Sequence, residues 1–331
     1  MKSYLIKIAI LLGLTGTVLG QSKVGTTAAN FLLIGVGGRA VSMGESSVAH
    51  GLDASALYWN PALIAQLPGH QVYFNNISWF ANIHLNFGAA ILDLGDIGKV
   101  GASFYVLNSG EMEVTTEERP EGNGQLFTAQ DLQIGLSYSR ALTQRLNIGA
   151  TVKYVGSSIW NMKASTFAVD LGVTYRTPYN PVILGMSIVN FGGEMRMEGT
   201  DTAIRFDPDP RVNGNNDGIV AYQITRGWDL PVTFRFGLAY EVLKTEMNQI
   251  LISSDVLYPN NNDNYVNAGF EYSLLSHYFL RAGYRQIFLN NAEGGLSLGA
   301  GIIYKNILLD YAYSDRGRLN NVQYFSMGLS F

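Results

Sequence analysis

The sequence predicts an all-β protein of about fourteen antiparallel strands, closed into a transmembrane barrel with a small, partly helical N-terminal hatch. Three observations carry that prediction. Apolar and polar residues alternate with a period of two along most of the chain from Gly69 onward. Charged residues make up only 15% of the 331, against roughly 25% in an ordinary soluble domain. Beyond Leu19 no apolar run reaches the ~20 residues a membrane helix needs. Mean hydropathy is +0.09, too polar for a helical bundle but suited to a barrel, whose lipid-facing and lumen-facing residues take turns. The 37 glycines, 19 tyrosines and 16 phenylalanines against 9 prolines fit strands near a membrane interface.

The N-terminus reads as a signal peptide. Lys2 and Lys7 form a basic region, the apolar stretch 8–19 is too short to span a bilayer, and Val18 and Gly20 are small residues at a peptidase's spacing. The expected division is therefore residues 1–20 as signal peptide, 21–68 as hatch and 69–331 as outer-membrane barrel. An exported chain that meets a membrane without a spanning helix must cross it as a closed barrel, which places the protein in a bacterial outer membrane.

Strands are expected near 71–79, 83–93, 98–107, 126–141, 145–157, 164–176, 182–191, 231–242, 247–257, 264–274, 277–288, 294–304, 306–314 and 321–331. In one of them Phe167, Val169, Leu171, Val173 and Tyr175 alternate with Ala168, Asp170, Gly172 and Thr174; in another Val232, Phe234, Phe236, Leu238 and Tyr240 alternate with Thr233, Arg235, Gly237 and Ala239. Tyr138, Tyr154, Tyr175, Tyr240, Tyr272, Tyr284 and Tyr304 fall at the apolar phase, where an aromatic girdle would sit. The breaks alternate between short ones (94–98, 141–144, 243–246, 275–276, 305) and longer ones rich in Asn, Asp and Gly (108–125, 192–230, 259–263, 289–293), as periplasmic turns and external loops do. The final strand ends on Phe331, a terminal aromatic of the kind read by the barrel-assembly machinery.

Charges at the opposite phase are expected inside. Asp131, Lys153, Asp170, Arg176, Arg235, Glu241, Glu271, Arg281, Arg285 and Asp310 all point away from the apolar face, and Arg or Lys facing lipid at the midplane costs about 2–4 kcal/mol. Such groups could pin the hatch, Arg39 in particular, or line a gated path. The segment 25–68 does not alternate. Its small residues permit close backbone approach, and Pro61 suits the first position of a short helix.

Chemistry is sparse. The absence of cysteine removes disulfides, thiolate metal sites and an N-terminal lipid anchor. His50, His70, His84 and His277 are scattered without metal-ligand spacing. His84 beside Ser78 or Ser103 is a weak hydrolase signal, outweighed by a structural role. The glycine cluster at 35–38 lacks the βαβ context of a dinucleotide site. Asp207, Asp209 and 213–218 read as turn chemistry before calcium ligation, and Asn76-Ile77-Ser78 as a coincidental glycosylation sequon. A net charge of −4 offers nucleic acid no basic patch. No catalytic residue, cofactor or metal is expected.

The set Gly37-Gly38-Arg39-Ala40, Met43-Gly44, Asp53-Ala54 and Tyr58-Trp59-Asn60-Pro61-Ala62 resembles the N-terminus of the PorV/PorQ family, which is similar to the FadL group of fourteen-stranded transporters. Gly149-Ala150-Thr151-Val152-Lys153-Tyr154, Asp170-Leu171-Gly172, Asn190-Phe191-Gly192, Leu280-Arg281-Ala282-Gly283-Tyr284 and the segment 296–301 extend the resemblance over nearly all of the mature chain. The resemblance implies a non-enzymatic outer-membrane component of type IX secretion in a Bacteroidetes-type bacterium, with translocon and cargo proteins as partners. The FadL side implies instead a channel for hydrophobic small molecules such as fatty acids or aromatic hydrocarbons, with Arg39, Asp53, Asn60 and Pro61 as hatch or gating residues.

Overall fold

The computed structural model describes residues 24–178, 182–208, 211, 218–289, 292 and 294–331; the expected signal peptide and most of the Asp/Asn-rich stretch 209–217 lie outside them. Fourteen antiparallel strands form one sheet: β1 Gln71–Ser78, β2 His84–Asp93, β3 Lys99–Glu113, β4 Leu126–Ala141, β5 Leu146–Ile159, β6 Met162–Arg176 and β7 Val182–Gly192, followed by β8 Thr233–Lys244, β9 Asn248–Pro259, β10 Tyr265–Leu274, β11 Tyr278–Ile287, β12 Leu296–Tyr304, β13 Ile307–Asp315 and β14 Asn321–Ser330. Each pairs with its sequence neighbour, and β1 pairs with β14 from Gln71↔Ser330 to Ser78↔Gln323. The sheet is a closed barrel, so no edge is left for another chain to extend. Among the described residues no helix is long and apolar enough to cross a membrane.

The alternation has the outcome expected of a barrel in lipid. Leu136, Val152, Phe167 and Leu171 are exposed on the outside, while their neighbours Ser137, Thr151, Lys153 and Asp170 are buried inside. Both the chain entering β1 and the last residue of β14 sit at the end carrying the short turns, where His70 and Phe331 exchange backbone hydrogen bonds of 2.9 and 3.0 Å. The opposite end carries the long connections.

Two differences from the sequence expectation stand out. β3 runs to Glu113 rather than 107, because a bulge at Ser109–Gly110 lets pairing with β4 resume at Glu111↔Thr128. The long connection after β7 is also partly ordered: Glu198–Gly199 continues the sheet beside Met162–Lys163, Met195 bridges Trp228, and Ala203–Phe206 pairs with Ile219–Tyr222 as a free-standing ribbon. Period-two analysis misses both, since neither segment has one apolar and one polar face.

The N-terminal segment threads the lumen from the long-loop end to the short-turn end. It is tied to the outer mouth by Ala28 N–H donating to the Asp229 carbonyl (2.9 Å) and Asn261 Nδ2 donating to Thr27 Oγ1 (2.8 Å). It then forms a 3₁₀ turn at Asn30–Leu33, helix α1 at Gly38–Ser42, helix α2 at Ala56–Trp59 and a second 3₁₀ turn at Pro61–Gln66. Pro61 opens that turn because its missing N–H and fixed φ suit the first helical position, and Asn60 caps it by accepting from Ala62 N–H at 3.0 Å.

Candidate functional site

Among the described residues, polar chemistry and backbone irregularity converge on the hatch and the inner wall that holds it, which meet on two sides of the lumen. Against β1–β3 the contact is mainly apolar: Phe31, Leu32, Leu57 and Leu63 pack on Tyr73, Ile77, Leu85, Phe87 and Tyr105, all buried, joined by Gly37 N–H donating to Asn75 Oδ1 (3.0 Å) and Tyr105 OH donating to the Ile34 carbonyl (3.0 Å). In β1 and β2 the inner phase is as apolar as the outer one, so the sequence pattern alone leaves their phase undecided, whereas in β3 the inner Lys99, Gly101 and Ser103 contrast with the outer Val100, Ala102 and Phe104. Against β4–β14 the contact is made by glycine and by buried charge.

Inward-facing glycines meet the hatch around the wall. A Cβ on Gly149 would strike the Pro61 and Ala62 backbone, on Gly172 the Asn60 side chain, and on Gly185 the backbone of Val48 and Ala49. On the far side Gly269 and Gly283 face Met43 and Gly44, and Gly299 faces Ser42. Removing the side chain lets two backbones approach to direct hydrogen-bonding range. Ser139 Oγ then donates to the Ala62 carbonyl (3.3 Å), Ser187 Oγ to the Trp59 carbonyl (3.1 Å) and Ser253 Oγ to the Ser46 carbonyl (2.9 Å). Four of these glycines lie in the family-like motifs of the sequence, which gives those motifs a physical meaning: they are the seat of the hatch.

The charges form a continuous buried series. Arg39, on α1, donates from Nε to Glu271 Oε2 (2.9 Å) and from Nη2 to Glu271 Oε1 (3.1 Å), a bidentate pair. Glu271 also accepts from Arg281 Nε at 2.6 Å, and Arg281 in turn pairs with Asp310. Arg39 reaches the other way to the His50 carbonyl (3.1 Å) and His50 Nδ1 (2.9 Å). Burial and the adjacent Arg39 guanidinium lower the His50 pKa to about 4, so this ring is neutral near pH 7.

The remaining sequence-predicted residues divide by position. Lys153 and Asp170 pair at 2.8 Å, and Asp170 also accepts from Asn190 N–H (2.7 Å) at a bulge where Asn190 takes φ 63°. Arg235 lies over the Tyr58 and Trp59 rings at 5.4 and 5.2 Å. Arg285 faces Glu45 at 3.7 Å. Glu241 stands apart at the short-turn end with Arg176 (3.5 Å) and Lys244 (2.9 Å). Asp131 faces inward only half-buried. In the hatch, Asp53 accepts from Ser55 N–H (2.8 Å) in a turn leading into α2, and Asn60 Nδ2 donates to Val48 (2.8 Å) and to Val173 on the wall (3.1 Å).

Sequence reasoning missed Glu45, Arg316 and Asp255. Glu45 accepts from Arg316 at 3.1 Å, and Asp255 accepts from Val48 N–H at 3.0 Å. Glu45 lies in a segment without periodicity and Arg316 in an outer turn, so neither had a phase to read; Asp255 held the inner phase of β9 and could have been found. Of the hydrolase candidates, Ser103 faces the lumen while His84 is exposed on the outer phase of β2, so those two cannot meet. Ser78 is the cross-strand partner of His84, exposed beside it on the outer rim of the barrel with no orienting third group at hand among the described residues. Among the described residues no group of three His, Cys, Asp or Glu is placed to hold a metal.

Among the described residues three spaces lie in the lumen near these side chains, one of them a room of only about 10 Å³ between Arg39, Asp53 and Trp59. A cavity of about 460 Å³ opens at the short-turn end and ends against His50, Asp53, Glu271 and Phe279. Deeper, beside Lys153 and Asp170, there is room of about 10 Å³, at most one water. Between the two mouths stand the Arg39–Glu271–Arg281–Asp310 series and the glycine-seated backbone.

Comparison with known proteins agrees with this architecture. The sequence model of the family described as "Type IX secretion system protein PorV" matches residues 18–258. No curated protein sequence matches the chain. Among solved structures, the CymD monoaromatic hydrocarbon channel superposes with a TM-score of 0.60 at 14% identity, covering 90% of this chain and 98% of its own. The toluene transporter TbuX of Ralstonia pickettii gives 0.59 at 13% identity over 91% and 100%. The toluene transporter TodX of Pseudomonas putida gives 0.57 at 16% over 89% and 96%. At these identities the likeness is one of fold.

Proposed function

Because the chain belongs to the PorV family of type IX secretion proteins, we propose that it serves protein secretion at the outer membrane as a sealed, non-enzymatic barrel that works through protein contacts. The observation that carries this reading is the seating of the hatch: glycine-to-backbone contacts and buried ion pairs hold it on the β4–β14 side, and apolar packing holds it on β1–β3. A plug held on every side suits a scaffold better than a path.

In this reading Arg39, Asp53, Asn60 and Pro61 act as locks rather than gates, and the inner charges Lys153, Asp170, Arg235, Glu271, Arg281, Arg285 and Asp310 are the wall's half of those locks. Glu241 belongs to the periplasmic rim. The outer connection 193–232, with its exposed Ile204, Phe206, Val220, Tyr222 and Ile224, is the surface offered to the translocon or its cargo. The signal peptide is removed after Gly20, and Phe331 is read by the barrel-assembly machinery.

The test is deletion of the gene, with surface cargo and uptake of hydrophobic compounds measured in the same strain. Loss of surface cargo with unchanged uptake supports the proposal. Intact secretion with lost uptake of fatty acids or aromatic hydrocarbons replaces it with the channel reading.

A further inference from the structure

The barrel wall is uneven in height. β3–β6 run 14 to 16 residues, while β1, β2 and β10–β14 run 8 to 10. A tilted strand crosses the hydrocarbon in roughly 9–11 residues, so the far ends of β3–β6 stand beyond it. Counted from the short-turn end, the outer edge of the apolar layer falls on the cross-strand row Leu132↔Gly156↔Ser165. One step inward, Tyr154 and Phe167 pack edge to face with centroids 5.6 Å apart, the arrangement of an interfacial aromatic belt. One step outward runs the polar row Gln130↔Ser158↔Lys163↔Glu198.

At this level the outside of the wall is hollow. Gly156 supplies no side chain between Leu132 and Ser165, the Tyr154 ring leans over it at 3.2 Å from where a Cβ would stand, and the groove beside them holds about 690 Å³. Its lining includes Tyr154 at the inner edge, the hydroxyls of Ser158 and Ser165, and the cations of Lys163 and Arg196. Glu194 and Glu198 close the far side. Leu132, Tyr154, Ser158, Lys163 and Ser165 hold the outward phase, opposite to the buried lumen residues Gln133 and Lys153, and the inward-phase Ser157 and Ala164 reach the groove between them.

We propose that this groove binds the phosphorylated sugar headgroup of an outer-leaflet glycolipid. Depth selects the occupant: the groove faces sideways, directly above the aromatic belt, where the headgroups of the outer leaflet lie. Chemistry agrees with depth. Lys163 and Arg196 suit a phosphate, the serines and carboxylates suit sugar hydroxyls, and the aromatic edge of Tyr154 suits a pyranose face. The acyl chains continue down over exposed Phe167, Ile134 and Val152, so one molecule contacts both layers. The site is independent of the secretion reading, since it faces lipid and touches neither hatch nor lumen.

The experiment places the intact protein in phosphatidylethanolamine vesicles containing rough-type lipopolysaccharide, extracts it in mild detergent, and measures retained lipopolysaccharide by native mass spectrometry. Gly156→Trp fills the groove, and the Lys163→Ala/Arg196→Ala pair removes its cations; heat-modifiable gel mobility reports that each barrel is folded. The wild type should retain lipopolysaccharide in preference to phosphatidylethanolamine. Both variants should fall roughly tenfold, the scale of losing two charge-assisted contacts, while Leu309→Trp on the opposite wall retains the wild-type level. Equal retention by all four proteins, or retention of phosphatidylethanolamine instead, overturns the assignment. So does a groove that captures a neighbouring protein while lipopolysaccharide is lost on extraction.

Discussion

Replacing Glu271 with alanine probes the hatch lock at its centre. Glu271 accepts two hydrogen bonds from Arg39 and one from Arg281, and its side chain is only 6% exposed. Removing one member of a buried ion pair costs about 3–5 kcal/mol, because the partner charge stays buried without compensation. Arg281 keeps Asp310, and Arg39 keeps the His50 carbonyl. The loss should therefore fall at the lower end, about 3 kcal/mol, and it should appear as hatch release rather than barrel unfolding. At 1.4 kcal/mol per factor of ten, the undocked population rises roughly 100-fold. Hydrogen exchange reads this directly. The amides of Val41 in α1 and of Met43 and Glu45 just after it, bonded to Gly37, Arg39 and Ala40, should exchange roughly 100-fold faster, while the ladder of β4–β6 stays protected. Unchanged exchange over 41–45 would refute the claim that this ion pair holds the hatch.

Three further outcomes follow from the same geometry. Gly172→Val puts a branched side chain where Asn60 and Pro61 sit, so folded yield on heat-modifiable gels should drop sharply, whereas a valine at the exposed Gly218, whose Cβ would meet nothing within 4 Å, should leave yield largely intact. His50 should make hatch docking acid-sensitive: the unfolded ring takes up its proton near 6.5 and the seated ring only near 4. Stability is therefore full above pH 6.5, falls as pH drops through that window, and levels off below 4, with an upper limit of about 3 kcal/mol that partial exposure of the ring reduces. Exchange of the 41–45 amides between pH 7 and 4, corrected for intrinsic rates, checks this, and His50→Gln should flatten the profile. Deleting Phe331 removes the residue that closes β1 onto β14 through His70; pulse-chase assembly should slow severalfold, with the heat-modifiable band appearing late.

The barrel was legible because lipid imposes a strict rule on it. Every strand but β3, which runs six residues further than expected, was placed to within a few residues, since a charge such as Asp170 or Arg281 fixes the phase of its whole strand. The C-terminal half of β6, with Asp170, Gly172 and Thr174 inside and Val169, Leu171, Val173 and Tyr175 outside, and the N-terminal half of β5, with Asn147, Gly149, Thr151 and Lys153 inside, are the clearest cases. What escaped the sequence lacks that rule. The inner faces of β1 and β2 carry Tyr73, Ile77, Leu85, Phe87 and Ile91 because they pack on the hatch, so alternation there carries little contrast. Glu45 and Arg316 meet only because the hatch turns at Gly44 and the last loop folds over the outer mouth. The pairing of Arg39 with Glu271 joins residues 232 positions apart; the sequence offered Arg39 as a charge to be pinned and several acids to pin it. The glycines of the family-like motifs were visible as letters, but their shared task, seating a backbone, needs the two chains in contact.

The central claim is that the hatch seals the barrel, and swelling of proteoliposomes tests it most directly. Vesicles carrying the wild-type protein should swell in a small-sugar gradient no faster than empty ones, while Gly283→Val, which forces Met43 and Gly44 off the wall, should swell measurably if folded. Wild-type vesicles that swell as fast as those carrying the Gly283→Val protein would contradict the account, because the lumen would then be open with its hatch in place.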